Sequence, residues 1–142
     1  MLPFDKVAPC YAKALATMHA LCFEKAWNEK AFADLLCLPT CIGFINDQSF
    51  VLFSVCESQA EILTLGVVPD ARKKGVALSL LTYSIEELKN LGVKEIFLDV
   101  NVNNLPARKL YERADFQQIS VRKNYYDEND QKSDALVLKK VL

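Results

Sequence analysis

Histidine is nearly absent from this chain, with a single residue, His19, among 142. One imidazole leaves almost no room for His-based metal clusters, Ser/His/Asp triads or Cys/His dyads. On its Ala-rich helical stretch, His19 reads as a solvent-facing or partly buried bystander. Glycine (4) and proline (5) are also scarce, which argues against a disordered or fibrous chain. Neither sign of charge is in excess: 17 basic and 18 acidic residues are interleaved, for a net charge of −1. Lys139 and Lys140 are too few to form a basic stripe, so nucleic acid is not an expected partner. No apolar run approaches the roughly 18 residues that a membrane span needs. The N-terminal stretch is broken by Asp5, Lys6, Lys13, His19 and Glu24, unlike a signal peptide. The expectation is a cytosolic protein with no membrane partner. The five cysteines, 10, 22, 37, 41 and 56, are odd in number and lack paired spacing. Cys37 and Cys41 are four apart, but Pro39 breaks any helix that would align them. They read as reduced thiols packed as small hydrophobes, and no metal site is expected.

What remains is the composition of an ordinary globular protein, 51% hydrophobic and 25% charged, of a length that suits one domain over residues 1–142. From Pro9 to Cys22 helix formers dominate, and Tyr11, Leu15, Met18 and Cys22 share one helical face. Asn28 reads as the N-cap of a second helix ending near Leu36, with Pro39 stopping it. Three β-rich runs follow, Cys41–Ile45, Ser49–Val55 and Ala60–Val67, separated by polar turns, and they read as an antiparallel meander. A long helix over Gly75–Leu91 carries Leu78, Leu81, Ile85 and Leu88 on one face, and Gly92 ends it. Glu95–Val100 reads as a strand, Asn104–Arg113 as a short helix opened by Pro106, and Phe116–Arg122 and Ala135–Val141 as strands joined by a polar loop from Asn124 to Ser133. The class is α+β.

The informative stretch is the turn Arg72-Lys73-Lys74-Gly75-Val76-Ala77 between the third strand and the long helix. A helix N-terminus offers unpaired N–H groups and the positive end of the dipole, which suit an anion. Cations placed there oppose the dipole unless an anion offsets them. Gly75 permits close approach to such a ligand, and Ala77 is small. The turn is neither a Walker loop nor a Rossmann fingerprint.

Arg72-x-x-Gly75-x-Ala77 between strand and helix resembles the pyrophosphate-binding motif of the GNAT acetyltransferases. The resemblance continues through Leu98-Asp99-Val100, Asn103-Asn104, Ala107-Arg108-Lys109-Leu110-Tyr111-Glu112 and Arg122-Lys123-Asn124-Tyr125-Tyr126, with Trp27-Asn28-Glu29-Lys30-Ala31-Phe32 upstream. That series is most similar to the bacterial subgroup that acetylates the N-terminal alanine of a small-subunit ribosomal protein. The resemblance implies a mixed, mostly antiparallel sheet of about six or seven strands with about four helices. It implies acetyl-CoA as donor, a protein N-terminus as acceptor, and a monomer or weak homodimer.

For the site, the resemblance implies that Leu65, Gly66 and Val67 offer backbone contacts to the acetyl and pantetheine part of the donor. Arg72, Lys73, Lys74, Gly75, Val76, Ala77 and Leu78 would surround the pyrophosphate, and Asn104 would touch the cofactor or cap its helix. Asp99 stands at the general-base position, where relatives carry Glu, and Glu61 on the neighbouring strand is the fallback base. Tyr111 matches the proton donor to the leaving thiolate, while Trp27, Tyr125 and Tyr126 would line the peptide groove. Asp115 stands where relatives have a left-handed Gly before the Phe. A relative acting on lysine or a small amine, and a non-catalytic acyl-CoA sensor supported by the shortened acid at 99, are the competing readings.

Overall fold

The computed structural model describes residues 3–142. Its elements in chain order are β1 (Asp5–Lys6), α1 (Ala12–Cys22), α2 (Glu29–Leu36), β2 (Cys41–Ile45), β3 (Ser49–Cys56), β4 (Gln59–Val67), α3 (Val76–Asn90), β5 (Glu95–Asn101), α4 (Leu105–Arg113), β6 (Gln117–Glu128) and β7 (Gln131–Val141). Short 3₁₀ turns at Pro9–Tyr11 and Pro69–Ala71 lead into α1 and the α3 loop. The seven strands form one sheet in the order β1-β2-β3-β4-β5-β7-β6. All neighbours are antiparallel except β4 and β5. The expected α+β class and mixed sheet are what the chain forms.

Local chemistry explains the helix ends. Asn28 caps α2 by accepting from the Ala31 N–H at 2.8 Å. Gly92 closes α3 at φ +93, where the Val93 N–H reaches back to the Leu88 carbonyl at 3.0 Å. Asp115 takes the left-handed conformation expected of it, φ +66, and the Phe116 N–H bonds the Tyr111 carbonyl at 2.9 Å. A non-glycine residue there costs about 1–2 kcal/mol, but it turns Phe116 back against the Tyr111 ring, 5.6 Å between centroids.

Apolar clusters fill both sheet faces. One joins Val51, Phe53, Ile62, Ile96 and Leu98 to Leu80, Leu81 and Leu88 of α3. The other packs Leu15 and Met18 of α1 and Phe32 of α2 on Phe50 and Leu52. The buried face of α3 is therefore Leu80, Leu81, Ser84 and Leu88, with the expected Leu78 and Ile85 at its margin. Ser84 fits because its hydroxyl donates to the Leu80 carbonyl at 2.7 Å.

Two expectations need correction, and one element is new. The segment Asn124–Ser133 is not a loop: β6 and β7 continue through it as a hairpin, closed at Glu128↔Gln131 by Asn129 and Asp130 with φ of 52° and 61°. Those two left-handed residues fit a two-residue turn whose twist matches the strands. The thiols are not packed as core hydrophobes, since Cys10, Cys37 and Cys56 are exposed and Cys22 and Cys41 only partly buried. The short β1 has no counterpart in the sequence reading, because two charged residues carry no strand pattern. Among the described residues, no helix is long and apolar enough to cross a membrane.

Candidate active site

The parallel pairing of β4 and β5 covers only three rungs, Gln59↔Glu95, Ala60↔Ile96 and Glu61↔Phe97. Beyond them both strands continue, β4 to Val67 and β5 to Asn101, without pairing each other. A β-bulge marks the departure. Phe53 faces Ile62 and Leu52 faces Thr64, leaving Leu63 as the extra residue. The bulge also resets side-chain alternation: Ile62 belongs to the α3-side cluster, whereas Thr64 turns to His19 on the α1 side. Between the separated strands lies a cleft of about 570 Å³, walled by Leu65 and Thr64 of β4, Leu98 to Asn101 of β5 and residues of α4.

The β4 wall presents backbone as well as side chains. The Val68 N–H donates to the Gln48 carbonyl at 2.9 Å, so alternation directs Gly66 and Thr64 toward β3, opposite Phe50 and Leu52. Leu65 and Val67 then direct their N–H and C=O groups to the β5 side. The Val67 carbonyl is taken by Arg72 Nε at 2.9 Å, which ties the basic turn to the strand end. Gly66 is glycine for packing, because a Cβ would lie 2.6 Å from Phe50 Cζ and 3.1 Å from Cys22 Sγ. It offers its backbone to β3 rather than to the cleft.

At the outer end of β4 the turn delivers the chain into α3. Lys73 and Gly75 both adopt positive φ, 63° and 78°. No side chain caps α3, and its first turn contains no acid. The N–H groups of Val76, Ala77 and Leu78 thus begin the helix without an intrahelical acceptor. A Cβ on Gly75 would meet nothing within 4 Å, so the glycine serves the positive φ of the turn and not packing.

Two ionisable groups come together on the β5–α4 side. Asp99 lines the cleft and accepts from Arg122 Nη1 at 3.1 Å, a contact between β5 and β6 that spans β7. Tyr111, 7% exposed, lines the cleft from α4. Burial, with the charge of Tyr126 as a lesser cause, pushes its phenol well above the ordinary range, so the hydroxyl stays protonated. Tyr126 lines the cleft too, and its phenol is raised by burial first and then by Asp99. Asn104 caps α4 by accepting from the Ala107 N–H at 3.3 Å while lining the cleft, so both of its expected roles are compatible.

The other expected substrate residues lie apart. Glu61 is exposed on the last paired rung and outside the cleft lining. Tyr125 is 46% exposed, under the Arg122 guanidinium at 4.0 Å and edge-on to the Tyr126 ring at 5.1 Å, and it does not line the cleft. Trp27 belongs to the α1–α2 cluster, its ring 5.0 Å from His19.

His19 is the residue the sequence misplaced. It is 2% exposed, neither solvent-facing nor only partly buried. Nδ1 accepts the Trp27 N–H at 3.0 Å, which leaves the proton on Nε2, 3.2 Å from Thr64 Oγ1. Its ring stacks on Phe23 at 4.3 Å, and Phe23 and Thr64 both line the cleft. Burial lowers its pKa below the usual value. A group depressed in this way stabilises the fold fully above its unfolded pKa of about 6.5, and that contribution is lost as pH falls toward the folded value. Urea midpoints should therefore fall between pH 7 and 5.5, with a shallower slope in His19→Gln. Parallel curves would refute the assignment.

Asp134 and Glu128 also escaped the sequence reading. Asp134 accepts from the Asn124 N–H at 2.9 Å and from Lys123 Nζ at 3.2 Å, pinning the irregularity where β6 bends between Arg122 and Tyr126. The Asn124 N–H is the main reason its carboxyl is held below the usual range. Glu128 lines the cleft beyond Tyr126. Only the paired strand register could have announced either one.

With this geometry in view, the comparisons with known proteins are specific. The model of the acetyltransferase (GNAT) family matches residues 12–116. The [ribosomal protein bS18]-alanine N-acetyltransferase of Escherichia coli K12 is 32% identical over 120 residues, 79% of this chain and 78% of that one. An N-alpha-acetyltransferase of Saccharolobus solfataricus is 36% identical over 73 residues, 51% of this chain and 44% of that one. The crystal structure of the E. coli ribosomal-protein-S18-alanine N-acetyltransferase superposes with TM-score 0.88 at 26% identity, covering 98% of this chain and 92% of that one. Arabidopsis thaliana NAA60 in complex with acetyl-CoA shares the fold, with TM-score 0.84 at 20% identity and coverage of 98% and 97%. The splayed strands, the uncapped basic helix start and these matches together establish that the chain belongs to the GNAT family of acetyltransferases.

Proposed function

We propose that this protein transfers acetyl from acetyl-CoA directly to the N-terminal amine of a protein, with the N-terminal alanine of a small-subunit ribosomal protein as substrate. The observation that carries the reading is the opening between β4 and β5, walled by Leu65 on one side and by Asp99 and Tyr111 on the other, with β4 running on through the basic turn into the uncapped start of α3. The named activities of the E. coli and S. solfataricus relatives point to an N-terminal amine.

The residues fit the donor. Unpaired N–H groups at Val76, Ala77 and Leu78, with Lys73 and Lys74 beside them, suit a pyrophosphate. Arg72 acts chiefly as a brace, since its Nε holds the Val67 carbonyl. The backbone of Leu65 and the N–H of Val67, which β5 leaves unpaired, suit the amides of a pantetheine arm, with the Val67 N–H able to donate to a carbonyl oxygen as charge builds on it. Bound there, acetyl-CoA supplies the thioester carbon that the amine attacks.

Asp99, paired with Arg122, draws a proton from the amine, and a water bridges the methylene by which Asp is shorter than Glu. Tyr111 returns a proton to the departing sulfur. An α-amino group, with pKa about 8, is roughly a tenth neutral at pH 7, whereas lysine is neutral to well under a thousandth. A modest base therefore serves an N-terminus better than a lysine. No cysteine lines the cleft, so transfer needs no acyl-enzyme. Incubation with acetyl-CoA and a short peptide beginning with alanine should release CoA and add one acetyl group at the α-nitrogen. Acetylation confined to internal lysine would overturn the assignment.

A further inference from the structure

The carboxylates around the cleft are not equivalent. The four salt bridges among the described residues engage Asp34, Asp99, Asp134 and Glu95. Asp99 is therefore already neutralised by Arg122, while Glu128 lines the same cleft without a cationic partner. Its orientation is set by strand register, not by chance exposure. The two-residue turn at Asn129 and Asp130 fixes Glu128 opposite Gln131, and the same ladder sets Tyr126 opposite Ser133. Residues two apart share a face, so Glu128 and Tyr126 both face inward, and a slip of one residue would turn both away. That face is anchored to β5, since Asn101 Nδ2 donates to Ser133 Oγ at 2.9 Å.

The rest of the wall is largely apolar: Phe23, Leu63, Leu65, Leu98 and Leu110 line it. About nine in ten N-terminal amines arrive as ammonium at pH 7, and a cation entering such a wall needs a counter-charge. Asp99 is occupied and Glu61 lies outside. Resting on the reading of this cleft as an N-terminal acetylation site, we infer that Glu128 docks the α-ammonium of the incoming chain before Asp99 takes its proton. Glu128 is thus a specificity-determining residue for cationic N-termini. It holds the substrate in its charged form and takes no part in the proton transfer itself.

The test is steady-state kinetics of wild type, Glu128→Gln and Glu128→Asp with an Ala-initiated peptide, varying peptide and acetyl-CoA separately. Glu128 is exposed, so the variants should fold. Loss of a charged hydrogen bond predicts a peptide KM about tenfold higher or more in Glu128→Gln. The value for kcat should change less than about threefold, the acetyl-CoA KM should stay as in wild type, and Glu128→Asp should recover part of the loss. An unchanged peptide KM beside active wild type overturns this inference alone. A collapse of kcat at unchanged KM also overturns it, because it would make Glu128 the proton acceptor. A wild type that acetylates no peptide defeats the functional reading, and this inference falls with it.

Discussion

Replacing Tyr111 by Phe is expected to lower kcat by about 10²- to 10³-fold, within the range for general acid catalysis, while coenzyme A affinity and Tm stay near wild type. The ring belongs to the α3-side core and packs on Phe116, and Phe preserves both contacts. Only the hydroxyl is lost, from a side chain that lines the cleft. Burial keeps that hydroxyl protonated across the working range of pH, so the donor is present in every molecule. The same burial works on the partner. A thiolate released beside this buried ring is itself disfavoured as an anion, so a phenol too weak an acid in water is matched to it there. The pH profile offers an internal check: no ionisation of Tyr111 should appear below pH 10 in wild type. Retention of more than about a third of kcat in Tyr111→Phe would remove it from the chemistry.

The sequence disclosed the parts of this site that depend on local chemistry. Gly75 and Asn104 are legible because a left-handed cap and an Asn cap leave a signature within a few residues. Asp99 and Tyr111 are legible through the family pattern. What escaped depends on pairing between distant strands. Only Tyr126 is half-buried in the outer half of β6, so Tyr125-Tyr126-Asp127-Glu128 has no apolar alternation, and its Asn and Asp residues imitate a loop while serving as a bulge and a turn. The bulge at Leu63 makes Ile62 and Thr64, apparently one face, point to opposite sides. The Asp99–Arg122 pair joins residues 23 apart. His19 was misjudged because a lone polar residue on an Ala-rich helix looks exposed, and its two partners, Trp27 and Thr64, lie eight and 45 residues away.

The two ends of α3 permit a controlled test of the diphosphate grip. Gly75 and Gly92 flank the helix at φ +78 and +93, and neither would place a Cβ within 4 Å of another atom. Valine at either position carries the same kind of penalty, on the order of 1–3 kcal/mol for a non-glycine residue held in that region. Stability should therefore fall to a similar extent in Gly75→Val and Gly92→Val. Coenzyme A binding should not. At position 75 the strain falls on the turn that aligns the Val76, Ala77 and Leu78 N–H groups and shifts it. Each bond from such a donor to a charged oxygen is worth about 1.5–3 kcal/mol, so losing the alignment should raise Kd by at least about 100-fold. At position 92 the helix C-terminus has no such task, and Kd should stay within about twofold of wild type. The lysines contribute differently. Lys73 and Lys74 act through solvent, so replacing both by Ala should cost about tenfold or less, and the loss should shrink as salt shortens the Debye length from about 10 Å at 0.1 M toward 3 Å at 1 M. Calorimetric titration with coenzyme A at two salt concentrations separates these terms. If Gly75→Val and Gly92→Val bind equally well, the backbone at the start of α3 does not hold the diphosphate.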